Sequence, residues 1–385
     1  MATRERLVIL GASARAAAFS ALRAGLEPWC ADLFADADLR ARCPAIVVGR
    51  RDYPEAFKPI LRQAPPGPWL YTGALENRPF LVDALAKQRA LWGNDASVLA
   101  VARCPTHIAR LLQNAGIACP AVADRAFQLP RESRWLVKPI ASAGGTGIHF
   151  CTGSKPGHGK RSIYFQEYIE GESCAALYVG DGNRGHLLGL TCQLVGLDWL
   201  HAESFHYCGS IGPLRPSPAV RERLQRLGNV LVCALGLREL FGIDCILKDD
   251  IPWPVEINPR YTASVEILEY ACQLPALALH RQVFETSAPV IPASAESVGE
   301  ICIGKAIFFA RADLSFPRDG PWLTLLENPC PIDDLPAFAD IPQTGQSIPR
   351  GVPVLTLFAR AGSHSACFDA LRQMAADLDR WLLGR

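Results

Sequence analysis

No apolar run in the sequence approaches the roughly 20 residues a membrane helix needs, so no spanning segment is expected. Charge of one sign is not in excess either. Lys plus Arg number 39 and Asp plus Glu 38, which points to neither nucleic acid nor a membrane surface as the main partner. The 14 cysteines include no Cys-x-x-Cys pair. Several of them, such as Cys233, Cys245, Cys272 and Cys302, sit inside apolar runs, where cysteine behaves as a small hydrophobe. In a chain of this length that excludes a disulfide framework and suits a reducing cytoplasm. There is no internal repeat and no low-complexity segment. Met1 to Arg6 precede an apolar stretch too short for a signal peptide, and Leu7–Leu10 reads as a first strand. What the chain does have is length and core-forming material. Its 385 residues, 49% of them hydrophobic, suffice for two or three domains.

Residues 1–95 alternate strands and helices. Leu7–Leu10, Trp29–Asp32, Ala45–Val48 and Trp69–Tyr71 are strands, and Ala14–Ala24 is a helix closed by Gly25. That rhythm implies a small parallel sheet with helices on its faces. A second unit spans 96–288. It opens with a helix at Thr106–Ala115, followed by strands at Trp135–Lys138, Ser162–Glu167, Leu177–Val179, Leu187–Gln193 and Phe205–Tyr207. Ala219–Leu235 is a long amphipathic helix ending at Gly236, and Ser264–Ala271 starts another that extends toward His280. A third portion, 289–385, has strands at Ile301–Phe309 and Val352–Ala359 and a terminal helix at Ser365–Leu383.

Three segments carry chemistry. The stretch Phe241–Arg260 holds two short apolar runs around a polar turn, Lys248-Asp249-Asp250. Paired as a hairpin, they bring Asp244 opposite Glu256 and Asn258, because residues i and i+2 of a strand share a face. Oxygen donors with few carboxylates suit Mg²⁺ held jointly with phosphates. Arg260 follows directly. In the second segment, a strand ends at Lys138 and runs into a loop containing Gly144, Gly145, Thr146 and Gly147. Such a loop can surround phosphate oxygens with backbone N–H groups, and Lys138 adds a point charge. The order is not that of a Walker A loop, in which Lys follows the glycines and a helix follows Lys. In the third segment, Gln166, Glu167, Tyr168 and Ile169 form an extended stretch that breaks at Gly171, ahead of Glu172 and Ser173. Its backbone can pair with an adenine edge, and either Glu172 or Ser173 can reach a ribose hydroxyl.

The succession of a lysine with a glycine loop, then a hinge, then Asp and Glu-x-Asn with Arg resembles the ATP-grasp superfamily over roughly residues 96–285. The resemblance implies a Rossmann-like N-terminal domain, an ATP-grasp fold of two α+β subdomains, and a small C-terminal α+β portion. It implies ATP between the subdomains, with Lys138 and the glycine loop on the phosphates and the hinge on adenine. Asp244, Glu256 and Asn258 would ligate two Mg²⁺ ions, for which Mn²⁺ can substitute. The implied activity joins a small-molecule carboxylate to an amine through an acyl phosphate, releasing ADP and phosphate, with Lys138 and Arg260 at the reacting phosphate. Tyr207–Pro213 and Asn258–Ser264 resemble a subgroup acting in furan and pterin one-carbon cofactor synthesis, which includes tyramine–glutamate ligases. Alternatives are an ATP-dependent carboxylase of the same superfamily and a nucleotide-binding regulatory protein without turnover. A homodimer is compatible with the resemblance. The domain-entry lysine of many relatives is absent, and Arg103 is the nearest cation.

Other signals weigh less. Gly11 after a strand and Asp32 at the end of the next imitate a dinucleotide fingerprint with only one of its three glycines. That loop either helps bind an acidic substrate or simply packs. His201, His206 and Cys208 have spacing compatible with zinc but lack a fourth ligand nearby. His107 and His280 read as helix-surface or partly buried residues, and Lys160-Arg161 as a solvated turn.

Overall fold

A computed structural model describes residues 5–125, 130, 132–152, 162–286 and 301–384. The first strand, β1 (Arg6–Leu10), is a continuous apolar run with Leu7 to Leu10 wholly buried, as a strand covered on both faces must be. It lies inside a parallel sheet with β2 (Glu27–Asp32), β3 (Ala45–Val47) and β4 (Trp69–Tyr71), in the order β3-β2-β1-β4. The helix Arg15–Arg23 follows β1 and ends where Gly25 turns left-handed at φ 75°. This is the alternating layout expected of residues 1–95.

Two further sheets frame the middle of the chain. The smaller contains β5 (Val122–Ala123), β6 (Trp135–Pro139), β7 (His149–Phe150) and β8 (Ile163–Glu167), in the order β5-β8-β6-β7. The larger starts with β9 (Glu172–Asp181), β10 (Gly185–Val195), β11 (Tyr207–Leu214), β12 (Arg238–Lys248) and β13 (Ile251–Asn258). It continues with β14 (Cys302–Phe309), whereas β15 (Leu314–Ser315) pairs separately with β17 (Ser347–Ile348). β16 (Phe338–Ala339) and β18 (Pro353–Ala361) complete the large sheet, whose order is β13-β12-β9-β10-β11-β14-β18-β16. The strands after residue 301 thus extend the sheet that carries the Asp244–Asn258 hairpin.

The back of the large sheet is closed by the helix Pro218–Leu235. Ser217 caps it, Pro218 sits in its first turn, and Gly236 ends it at φ 70°. Its Val220, Leu224, Leu227, Leu231 and Val232 are buried, each worth about 1.5–3 kcal/mol on removal from water. On the opposite face Leu177, Val179, Leu188 and Leu240 pack with the helices Ala263–Cys272 and Ala276–Glu285, and the same face carries Gln193 and Asp244 where these helices do not cover it. The hinge from β8 to β9 crosses close against β12, and a Cβ on Gly171 would stand 2.6 Å from the Leu247 carbonyl oxygen.

Two expected elements differ. The strand expected at Phe205–Tyr207 begins only at Tyr207, because Phe205 turns left-handed at φ 64°. The helix expected to run from Ser264 toward His280 is two helices, Ala263–Cys272 and Ala276–Glu285. Gln273 is left-handed between them, and Pro275 has no N–H to carry the ladder on. Lys160-Arg161 and the expected junction at 288–289 lie outside the described residues.

Candidate functional site

The expected hairpin forms. β12 and β13 pair antiparallel, with Asp244 directly opposite Glu256 and Gly242 opposite Asn258. Opposed residues share a face, so both carboxylates stand on the floor of an open cleft of about 1590 Å³ between the small and large sheets. Asn258 and Arg260 line the same cleft. So do Lys138, Gly144, Gly145, Gln166, Glu167, Tyr168, Ile169 and Ser173. Thr146, Gly147 and Glu172 are outside its lining.

Electrostatics on the floor are uneven. Burial first, and then the Glu256 carboxylate, push Asp244 up to about 7, against the pull of Arg260, Asn258 and Lys138. Burial also raises Glu256, but Arg103, Lys138 and Arg260 outweigh it and hold that carboxyl below its ordinary range. The partners explain the split. Arg103 Nη1 donates to Glu256 Oε1 at 2.7 Å. Among the described residues Asp244 instead accepts from two neutral amides, Gln193 Nε2 at 3.0 Å and Asn258 Nδ2 at 3.1 Å.

Lys138 is buried where β6 meets β8. Its Nζ donates to Gln166 Oε1 at 3.0 Å and to the Val255 carbonyl at 3.3 Å, so it lies against the strand that carries Glu256. The glycine loop is drawn onto the large sheet. The Tyr207 N–H donates to the Gly144 carbonyl at 3.1 Å. Gly145, at φ 81°, lies so close that a Cβ would stand 1.8 Å from the Phe205 carbonyl oxygen. On the hinge, the Tyr168 ring packs edge-on to Phe150 at 5.1 Å, with the Arg134 guanidinium 4.7 Å above it. Glu167 accepts from the Ala121 N–H and from Ser133 Oγ. Ser173 Oγ donates to Gln193 Oε1 at 2.9 Å.

Arg260 is held from the first sheet. Its Nε donates to Glu76 Oε1 at 2.8 Å, and its Nη2 to Asn258 Oδ1 at 3.2 Å. Glu76 is only 1% exposed, and among the described residues its other oxygen has no hydrogen-bond partner. Arg103, considered for phosphate, makes four hydrogen bonds inside the protein. They go to Glu256, the Ile257 and Ile140 carbonyls, and Asn77 Oδ1. Asn77 in turn donates to the Ser142 carbonyl of the glycine loop at 3.1 Å.

Sequence reasoning missed Glu76, Asn77 and Gln193. The first two follow β4, at the carboxyl end of a parallel strand, where ligands of open sheets gather. Gln193 is one of a few polar residues, with His186 and Thr191, in a mainly apolar strand, and nothing local singled it out.

The weaker signals fall elsewhere. Asp32 accepts from the Ala14, Phe34 and Ala35 N–H groups, so it ties down the loop after β1. His201 Nε2 is 3.1 Å from Asp379, His206 faces Glu203, and Cys208 is fully buried. Among the described residues no group of three or more His, Cys, Asp or Glu side chains is placed to hold a metal. The cleft floor instead combines two carboxylates with an amide. His280 is buried, and burial pushes it down to about 4 despite its hydrogen bond to the Trp92 carbonyl. Among the described residues no helix is long and apolar enough to cross a membrane.

Comparison with known proteins agrees with this geometry. The family model of the ATP-grasp domain matches residues 106–264. A D-alanine–D-alanine ligase from Petrotoga mobilis is 24% identical over 141 residues, which cover 34% of this chain and 47% of that one. The match thus spans about half the length of that curated relative. An L-amino acid ligase structure from Bacillus licheniformis superposes with a TM-score of 0.69 over 98% of both chains at 17% identity. An N5-carboxyaminoimidazole ribonucleotide synthetase from Thermus thermophilus gives 0.68 over 98% of both chains at 14% identity. Biotin carboxylase from Campylobacter jejuni, described as a beta-gamma-ATP complex, gives 0.70 at 15% identity, over 96% of this chain and 90% of that one. The chain therefore has the ATP-grasp fold, and residues 106–264 are the part that matches the model of the ATP-grasp domain.

Proposed function

We propose that the protein is an ATP- and Mg²⁺-dependent ligase that joins a carboxylate to an amine and releases ADP and phosphate. One observation carries this reading. Asp244, Glu256 and Asn258 share one cleft floor with Arg260 and with Lys138 and the glycine loop, although about a hundred residues of sequence separate Lys138 and that loop from Asp244.

The residues fit a hard divalent ion. All three candidate ligands carry oxygen, the Asn258 carbonyl keeping a second lone pair beside its bond from Arg260, and Asp244 is pushed up partly by an opposed carboxylate, a repulsion that a cation between them would relieve. Asp244, Glu256 and Asn258 would hold Mg²⁺, with Mn²⁺ as a substitute. Bound there with phosphate oxygens, the ion supplies the charge compensation that lets two anions approach.

The chain's own groups do the rest. Lys138 and the N–H groups of Gly144 and Gly145 orient the phosphates. Gln166 to Ile169 seat adenine from an extended backbone. Arg260, fixed by Glu76, faces the γ-phosphoryl group and the attacking substrate carboxylate. Attack by that carboxylate forms a C–O–P bond and expels ADP. An amine then forms the amide bond, phosphate leaves, and the amine gives up a proton. No covalent nucleophile is required of the protein.

The free state of all 14 cysteines suits the reducing cytoplasm. A narrower place, in the subgroup of furan and pterin cofactor ligases, rests on the residues around Tyr207–Pro213 and Asn258–Ser264.

The test is ADP release with ATP and Mg²⁺ across a panel of amino acids and amines that includes glutamate with tyramine, with bicarbonate as a separate arm. Amine-dependent release is expected. Release that needs bicarbonate instead would transfer the protein to the carboxylases. Glu256→Gln removes a charge without removing volume, so kcat is expected to fall at least about 100-fold while the melting curve stays native-like. Near-normal kcat in that variant would count against the reading.

A further inference from the structure

The cleft floor is wired by an unbroken line of side-chain hydrogen bonds through six residues. Ser173 Oγ donates to Gln193 Oε1, and Gln193 Nε2 donates to Asp244 Oδ1. From the other side Arg260 donates to Asn258 Oδ1, and Asn258 Nδ2 donates to Asp244 Oδ2. Glu76 closes the line behind Arg260. We propose that Gln193 and Ser173 are positioning residues that fix the Asp244 carboxylate for the divalent ion and link its hold to the hinge. This rests on the metal assignment of the ligase reading.

Donor and acceptor chemistry fixes each orientation. A guanidinium can only donate, so Asn258 must turn its carbonyl oxygen toward Arg260 and its NH₂ toward Asp244. The Ser173 hydroxyl donates to the Gln193 carbonyl oxygen, which leaves the Gln193 NH₂ for Asp244. Each Asp244 oxygen then accepts one neutral hydrogen bond and keeps a lone pair free. Neutral donors orient the Asp244 carboxylate without offsetting its charge, whereas the Arg103 cation offsets that of Glu256.

The sheet makes this reach possible. Gln193 lies on β10 and Asp244 on β12, with β9 between them. Neighbouring strands lie about 4.8 Å apart, so the Gln193 side chain must cross a whole strand. The residue of β9 that pairs with Asp244 is Ala175, which leaves the crossing open. Ser173 is two residues back on the same face, at the start of β9 beside the hinge. A ligand group that draws the Ser173 hydroxyl away releases one end of the Gln193 amide, and the hold on Asp244 changes with it.

The experiment is calorimetric titration of ATP, in EDTA and over a series of Mg²⁺ concentrations, into the native protein, D244N, Q193L, S173A and S173T. Melting curves monitor folding. In Q193L, affinity for metal-free ATP should stay within about twofold of native, while the Mg²⁺ needed for half of the affinity gain rises about tenfold, as is usual when a partner behind a metal ligand is lost. S173A should shift in the same direction by a smaller factor, and S173T, which keeps the hydroxyl, should behave as native. Should Q193L fail to give a native-like melt, the S173A and S173T pair decides. Native Mg²⁺ dependence in Q193L and S173A, with that dependence lost in D244N, would overturn the positioning role and leave the ligase reading standing. An Mg²⁺ response unchanged in D244N would remove the metal assignment itself, and this proposal with it.

Discussion

Arg103 illustrates how much a single side chain's partners decide. Position and charge alone suggested a stand-in for a phosphate-binding lysine. Four internal hydrogen bonds, one of them to Glu256, also fit it to clamp a candidate metal ligand. Lysine could not replace it, because an ammonium is a point donor whereas the guanidinium fork reaches Glu256, two carbonyls and Asn77 together. Arg103→Lys should therefore lower kcat/KM for ATP by about tenfold and raise the Mg²⁺ requirement. Arg103→Ala should do so more strongly, because it leaves Glu256 facing Asp244 with less compensation. Steady-state ADP release over an Mg²⁺ series measures both. An Arg103→Lys enzyme with native Mg²⁺ dependence would show that the clamp is dispensable.

At the scale of elements, the glycine loop is the part whose backbone the sequence foretold best. Gly145 sits at φ 81° against the Phe205 carbonyl, a place that admits no side chain. Gly145→Ala adds about 1 kcal/mol of backbone strain and a clash that must push the loop off Phe205. ATP affinity, read by calorimetry, is expected to fall at least about tenfold, with a small loss in melting temperature; unaltered affinity would mean that the loop does not need this seat. The hairpin that opposes Asp244 to Glu256 was legible for a related reason. Strand periodicity is local, and the two-residue turn sets the pairing from Lys248–Ile251 to Cys245–Pro254, but the register shift between Asp244 and Cys245 that puts Asp244 opposite Glu256 instead of Val255 had no such local signal. What stayed hidden was the partner of each polar group. Glu76 reaches Arg260 across 184 positions and Arg103 reaches Glu256 across 153, and no local pattern encodes such distances. The misplaced start of β11 has the same origin. Phe205–Tyr207 reads as a strand by propensity, but the chain must first turn at Phe205, whose ring meets Phe150 of the small sheet at 5.3 Å.

The whole molecule is tied together by a buried charge cluster that no motif announced. Arg15 of the first helix, fully buried, pairs with Glu266 of the helix Ala263–Cys272 and with Asp340 beyond β16. Lys305 of β14 reaches the same Glu266 at 2.9 Å. One ion network thus joins the N-terminal unit, the helix below the site and the late strands of the large sheet. Burial raises the Glu266 pKa, but Arg15 and Lys305 overcome it and bring it down to about 2 from an ordinary 4.5. A depressed folded-state value means that this group stabilises the fold above about pH 4.5, and that the contribution drains away as pH falls toward 2. Asp340 is held low by the same cations and acts in the same sense. Asp38 acts oppositely. Burial pushes it up to about 6, despite Arg15, so it penalises the folded state as pH rises from 3.8 through 6. The Glu266 and Asp340 contributions are therefore complete above about pH 4.5, and the melting temperature is expected to drop below that pH as they are lost. Glu266→Gln leaves Arg15 and Lys305 with less compensation in a dry site, and breaking such a pair costs about 3–5 kcal/mol. Melting curves of that variant between pH 3 and 8 should be lower than native throughout, with a shallower fall below pH 4.5. A curve parallel to native at every pH would show that Glu266 does not titrate with folding, and that the acid limb belongs to other carboxylates.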